Sequence, residues 1–89
     1  MFSVKLLPAA VADLSNIDKV PAQRIVNKLS WLAKNLDLMS PLPLKGDLAG
    51  FFKLRVGDWR VIYQVDYDID EITVHKERNI RHLNNSPGS

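Results

Sequence analysis

The chain has 89 residues, 46% of them hydrophobic and 25% charged, the profile of one small soluble domain with a limited core. The absence of cysteine excludes disulfides and thiolate chemistry, and two histidines separated by six residues, His75 and His82, make a weak metal site, so no metal centre is expected. No apolar run approaches the roughly 20 residues that span a bilayer, and the opening MFSVKLLPAAVADL turns polar too early for a signal peptide, so a cytoplasmic location is expected.

Phe2 to Leu6 alternates apolar and polar, which predicts a first strand closed by Pro8. Ala10, Leu14 and Ile17 then recur at helical spacing, giving a short amphipathic helix. Pro21 suits the first turn of a second helix, in which Ile25, Leu29, Leu32 and Leu36 form one stripe with Arg24, Lys28 and Lys34 off it. The short link at Asp18-Lys19-Val20 predicts that the two helices pack as a hairpin. Pro41, Pro43, Gly46 and Gly50 end the helical region and punctuate a loop. Three strands follow, about Phe51 to Val56, Trp59 to Asp66 and Glu71 to Lys76, joined by Gly57-Asp58 and by Tyr67 to Asp70, so both pairs are expected as antiparallel hairpins. The expected fold is α+β in the order β-α-α-β-β-β, an antiparallel sheet with an N-terminal helical hairpin packed on one face. The domain is expected to cover residues 1–83, with a disordered tail at 84–89.

Net charge is only +2, a mild preference for anions, but its distribution is uneven. Four acids crowd into residues 66–71, while Lys53, Arg55, Arg60, Lys76, Arg78 and Arg81 flank them. With a period of two, Phe52, Leu54 and Val56 share one face and Phe51, Lys53 and Arg55 the other. If the helices cover the Phe52 side, Lys53 and Arg55 stand on an open face, and Arg60, Ile62 and Gln64 should share it. Lys76 and Arg78, two apart, can share a side too. The plain alternative is a set of rim cations, each paired to a carboxylate: Arg55 or Arg60 with Asp58, Arg78 with Glu77 or Asp47. For the group the phosphate reading is favoured, because like charges side by side repel unless an anion bridges them. Phe51, on the cationic face, is a candidate stacking platform, while Phe52, Trp59, Tyr63 and Trp31 read as core. Gly46 and Gly50 are turn residues, since their spacing does not make a phosphate-binding loop.

Pro43-Leu44-Lys45-Gly46-Asp47-Leu48-Ala49-Gly50, followed by Phe52-Lys53-Leu54-Arg55-Val56-Gly57-Asp58-Trp59-Arg60-Val61-Ile62-Tyr63, resembles the signature of the RelE/ParE toxin superfamily. The resemblance runs from Phe2 to about Leu83 and implies one half of a toxin–antitoxin pair. RelE-type members are ribosome-dependent endoribonucleases that cut mRNA in the decoding site, whereas ParE-type members inhibit DNA gyrase. Lys76-Glu77-Arg78-Asn79-Ile80-Arg81-His82 is similar to the RelE-type basic cluster that leads to a terminal aromatic acid–base residue, with His82 at the position of the usual Tyr.

By that resemblance Lys53, Arg60, Lys76, Arg78 and His82 are the catalytic candidates, and Lys45, Arg55, Arg81 and Phe51 the RNA- or phosphate-binding ones. The implied reaction uses no cofactor: the 2′-OH of the RNA attacks the adjacent phosphorus, leaving a 2′,3′-cyclic phosphate and a 5′-OH. The implied partners are a cognate antitoxin in a hetero-oligomeric complex, the ribosome and mRNA. The sequence departs from some members in carrying Phe51 where they have a second Lys. The alternatives are a ParE-like gyrase inhibitor and a catalytically degenerate member that only binds its antitoxin.

Overall fold

The structure is a computed structural model that describes residues 1–44, 46 and 49–80. Strand β1 (Ser3–Leu6) leads through Leu7 into helix α1 (Pro8–Ser15), with Pro8 in the first turn, where its missing N–H leaves no bond unmade. The backbone N–H of Asn16 closes α1 on the carbonyls of Ala12 and Asp13. Helix α2 (Lys19–Asn35) follows, then a 3₁₀ turn at Leu36–Leu38 and a two-residue strand β2 (Leu42–Pro43). Pro43 sits on the sheet edge, where a residue without an N–H is tolerated. The chain ends its described course in β3 (Phe52–Val56), β4 (Trp59–Asp66) and β5 (Glu71–Asn79).

The strands order as β1-β5-β4-β3-β2. Both expected hairpins are antiparallel, and their turns follow from residue chemistry. Gly57 takes φ +60° at the first central position of a two-residue turn, where glycine has no steric penalty. In the second turn Asp66 Oδ1 accepts the Asp68 N–H at 2.9 Å, and Asp70 adopts φ +52°, a conformation that Asp tolerates.

The α+β order is as expected, with two differences. Strand β1 joins β5 in parallel, from Ser3 opposite Glu71 to Leu6 opposite Val74, so the sheet is mixed rather than antiparallel throughout. The two helices between β1 and the rest of the sheet form the crossover that a parallel pairing needs. The second difference is the added two-residue strand β2, which pairs with β3; α1 packs mainly on β5 and β1, and α2 on β1 and β3. With only eight residues, α1 offers a single short face, and that face is spent on the strands.

Between the helices and the sheet lies the core. Ile25, Leu29, Leu32 and Ala33 of α2 and Ala10 of α1 meet Leu54, Val61, Tyr63, Ile72 and Val74 from the three long strands. Phe2 seals the edge and donates its backbone N–H to the Ala33 carbonyl at 3.0 Å. Each fully buried aliphatic side chain stabilises this small domain by about 1.5–3 kcal/mol, so the sheet's helix-side pattern is strongly fixed. Among the described residues, α1 and α2 both lie on this side of the sheet. Among the described residues no helix is long and apolar enough to cross a membrane.

Candidate nucleic-acid interface

The open face is set by strand alternation and by one irregularity. In β3, Leu54 is buried against the helices, which turns Lys53 and Arg55 outward. In β4, Val61 and Tyr63 are buried in the core cluster, so Arg60, Ile62 and Gln64 face the other way. In β5, Ile72 and Val74 belong to the core, and strict alternation would send Lys76 and Arg78 under the helices with them. A bulge prevents this. Tyr63 pairs with Val74 but Ile62 pairs with Lys76, so His75 is an extra residue on β5 and the phase shifts by one. Beyond it Lys76 and Arg78 stand on the open face, and Glu77 points into the covered side.

The register then groups the cations in rows. Arg55 pairs with Arg60 and Arg60 with Arg78, one arginine from each of three adjacent strands. The next row holds Lys53, Ile62 and Lys76, with Leu42 of β2 beside Lys53. Strands lie about 4.8 Å apart and successive same-face residues about 7 Å apart, so five cations occupy a patch on the order of 10 Å by 7 Å. Ile62 is 1% exposed on the face opposite α1 and α2, and its register neighbours are the two lysines, whose methylene stems suit an apolar floor. A cleft of about 250 Å³ opens here, lined by Leu42, Lys53, Arg55, Arg60 and Ile80.

Of the carboxylate pairings considered from sequence, Asp47 lies outside the described residues and Glu77 lies across the sheet from Arg78. Arg55 Nε donates to the Gly57 carbonyl at 2.8 Å, which ties its guanidinium to the turn. Glu77 is 5% exposed and lies on the helix side, unable to reach Arg78 across the sheet. Burial, and secondarily the nearby charge of Asp13, pushes the Glu77 carboxyl up to about 7. Its backbone N–H donates to Asp13 Oδ2 at 3.1 Å, and neither carboxyl oxygen of Glu77 has a partner among the described residues. On the same side burial, with Tyr67 a smaller cause, pushes the Tyr63 phenol up to about 12.

A third row follows the lysines. Phe51 packs edge-to-face on the His75 ring with centroids 4.8 Å apart, and His75 Nε2 lies 2.6 Å from Gln64 Oε1. Farther along, the face turns acidic at Asp66, Asp68 and Glu71, which line a second cleft of about 500 Å³ with Gln64 and Thr73. The open face is therefore polarised, with arginines at the Gly57 end and carboxylates at the other. A polyanion is drawn to the first half and repelled from the second.

Of the residues singled out from sequence, Lys53, Arg55, Arg60, Lys76 and Arg78 are brought together, and Phe51 stands one row away on the same face. Lys45, Arg81 and His82 lie outside the described residues, as does the tail at 84–89. Sequence reasoning put Ile62 and Gln64 on this face by the alternation of β4 but gave them no role, and it left His75 on its strand, where alternation from Ile72 and Val74 turns it to the same face.

The chain matches the model of the ParE toxin of type II toxin–antitoxin systems over residues 4–80. No curated protein sequence matches it. Among solved structures it resembles a chain of the RelBE2 toxin–antitoxin complex from Mycobacterium tuberculosis, with TM-score 0.79 and 23% identity over 88% of this chain and 96% of that one, a likeness of fold. A chain of the archaeal RelE–RelB complex from Pyrococcus horikoshii gives TM-score 0.71 and 25% identity, covering 89% and 94%. The YoeB/ParE toxin from Agrobacterium tumefaciens gives 0.70 and 25%, covering 88% and 98%. Its fold, its open cationic sheet face and a family match over most of its length establish that this chain is a toxin of the ParE family of type II toxin–antitoxin systems, within the RelE/ParE superfamily.

Proposed function

We propose that the protein is a ribosome-dependent endoribonuclease that cuts mRNA in the decoding site and so halts translation. The observation that carries this reading is the row Arg55–Arg60–Arg78 lying directly beside the lysine pair that flanks Ile62. A scissile phosphate seated over Ile62 meets guanidinium forks on one side and ammonium groups on the other, the donors that stabilise charge developing on phosphoryl oxygens.

In this reading the 2′-oxygen forms a bond to phosphorus, the 5′-oxygen leaves, and the products are a 2′,3′-cyclic phosphate and a 5′-OH. Arg60 and Arg78 hold the phosphate. Lys53 or Lys76 protonates the leaving oxygen, and Arg55, Lys45 and Arg81 add contacts to the RNA backbone. The proton of the 2′-OH needs an acceptor, a role the resemblance gives to His82. The ribosome's part is to hold the nucleotide in line for attack.

A cognate antitoxin is the natural partner, as the M. tuberculosis and P. horikoshii relatives are toxin–antitoxin complexes. An acidic segment laid over the cationic rows would block RNA by direct competition. The cytoplasm, where ribosomes and mRNA meet, is the corresponding location, and residues 1–83 form the one domain that does the work.

Inhibition of DNA gyrase is the second reading, favoured by the match to the ParE toxin model. One experiment separates the two. Purified protein is added to an mRNA under translation in vitro and cleavage is mapped by primer extension, with a gyrase supercoiling assay in parallel. The nuclease reading expects decoding-site cuts that depend on ribosomes and supercoiling at the control level; intact mRNA with blocked supercoiling would replace it by the second.

A further inference from the structure

His75 is the extra residue of the β5 bulge, and its side chain is fixed from two sides on the open face. Phe51 of β3 meets its ring edge-to-face at 4.8 Å, and Gln64 of β4 lies 2.6 Å from Nε2. A carboxamide oxygen only accepts, so this contact is a hydrogen bond when Nε2 carries the proton of the neutral imidazole, the tautomer that leaves the lone pair on Nδ1. The charged groups that face this ring are Lys53 on β3 and Lys76 on β5, with Lys5 on β1 next to it across Thr73; Glu71 and Asp66 lie beyond Thr73 and Gln64 toward the acidic end.

From this geometry we infer that His75, in place of the His82 that the resemblance suggests, is the general base of the cleavage reaction, taking the 2′-OH proton on Nδ1, and that Gln64 and Phe51 are its positioning residues. The inference rests on the nuclease reading and deepens it. A 2′-oxygen poised for in-line attack lies about 3–3.5 Å from phosphorus, and a base accepts its proton at about 3 Å. Together these spans reach about 6.5 Å, and the His75 row lies about 7 Å from the Lys53–Ile62–Lys76 row over which the phosphate sits. In the step, the O–H bond of the 2′-hydroxyl breaks with its proton passing to Nδ1. The 2′-oxygen bonds to phosphorus as the bond to the 5′-oxygen breaks, and an ammonium proton from Lys53 or Lys76 passes to the leaving oxygen. Solvent then restores both groups. The bulge explains why the base is found here: without the extra residue, Lys76 and Arg78 would be under the helices and the cationic rows would not meet the imidazole.

The test measures single-turnover cleavage of mRNA on programmed ribosomes from pH 5.5 to 8.5 for the wild type, His75→Gln and Gln64→Leu, with thermal melts and ribosome co-sedimentation as controls for folding and binding. His75→Gln is expected to cut about 10²- to 10⁴-fold more slowly, to co-sediment like the wild type, and to lose the fall in rate on the acid side of the profile. Gln64→Leu is expected to cut about 10-fold more slowly while keeping that acid-side fall. In the wild type, ¹⁵N NMR of the imidazole is expected to show the Nε2–H form, a readout that does not depend on any variant folding. A folded His75→Gln variant with a wild-type rate and profile, or an Nδ1–H imidazole in the wild type, overturns the assignment of His75 alone. A wild type that leaves ribosome-bound mRNA intact overturns the nuclease reading and the assignment with it.

Discussion

Glu77 makes the protein's stability depend on pH in a direction opposite to that of most carboxylates. Its side chain is 5% exposed and both oxygens lack partners among the described residues, so the ionised form loses hydration with nothing in exchange. The folded carboxyl is pushed from 4.5 to about 7, by burial first and then by Asp13. Below pH 4.5 the folded and unfolded chains both hold the proton and Glu77 carries no penalty. Between 4.5 and 7 the unfolded chain has released it and the folded chain has not, so stability falls as pH rises; above 7 the loss is constant. At about 1.4 kcal/mol per pH unit, that interval is worth at most about 3 kcal/mol. Glu77→Gln keeps the shape and removes the titration, so its stability relative to the wild type should rise by about 2–3 kcal/mol between pH 4.5 and 8. In a domain of this size that is on the order of 10 °C in Tm. Urea and thermal denaturation of both proteins across that range measure it. A difference between the two proteins that is the same at pH 4.5 and pH 8 would refute a protonated Glu77 in the folded state.

Two further substitutions separate the covered face from the open one. Tyr63 is wholly buried and its hydroxyl has no partner among the described residues, so Tyr63→Phe should leave the fold unchanged and raise stability by about 1 kcal/mol, read as a higher urea midpoint at constant slope; a lower midpoint would show that the hydroxyl is satisfied. Arg60→Ala and Arg78→Ala should each lower ribosome-dependent cleavage by about 10²–10³-fold while leaving Tm within a few degrees, because neither side chain contributes to the core; growth arrest at the wild-type level by a folded double variant would remove both from the site.

The parts of the fold legible in the sequence were those governed by local rules. Leu54 between Lys53 and Arg55, and Val61 between Arg60 and Ile62, assign their own faces by alternation, and Gly57-Asp58 specifies the tight turn between them. The parallel docking of β1 on β5 depends on contacts between residues about 70 positions apart, which no local pattern encodes. At β5, sequence reasoning paired Lys76 with Arg78 and stopped the strand near Lys76, whereas the strand runs to Asn79 and sets Arg78 opposite Arg60. The same bulge turns Glu77 inward and buries it, reversing what its type suggests, since a glutamate is ordinarily solvated.

The ends of the RNA fragments test the central claim most directly. If the open face seats a phosphate and the RNA's own 2′-OH attacks it, mRNA cut on the ribosome by the purified protein must carry a 2′,3′-cyclic phosphate on the upstream fragment and a 5′-OH on the downstream one. Fragments with a 5′-phosphate, the product of attack by water, or an mRNA left whole, would contradict the account.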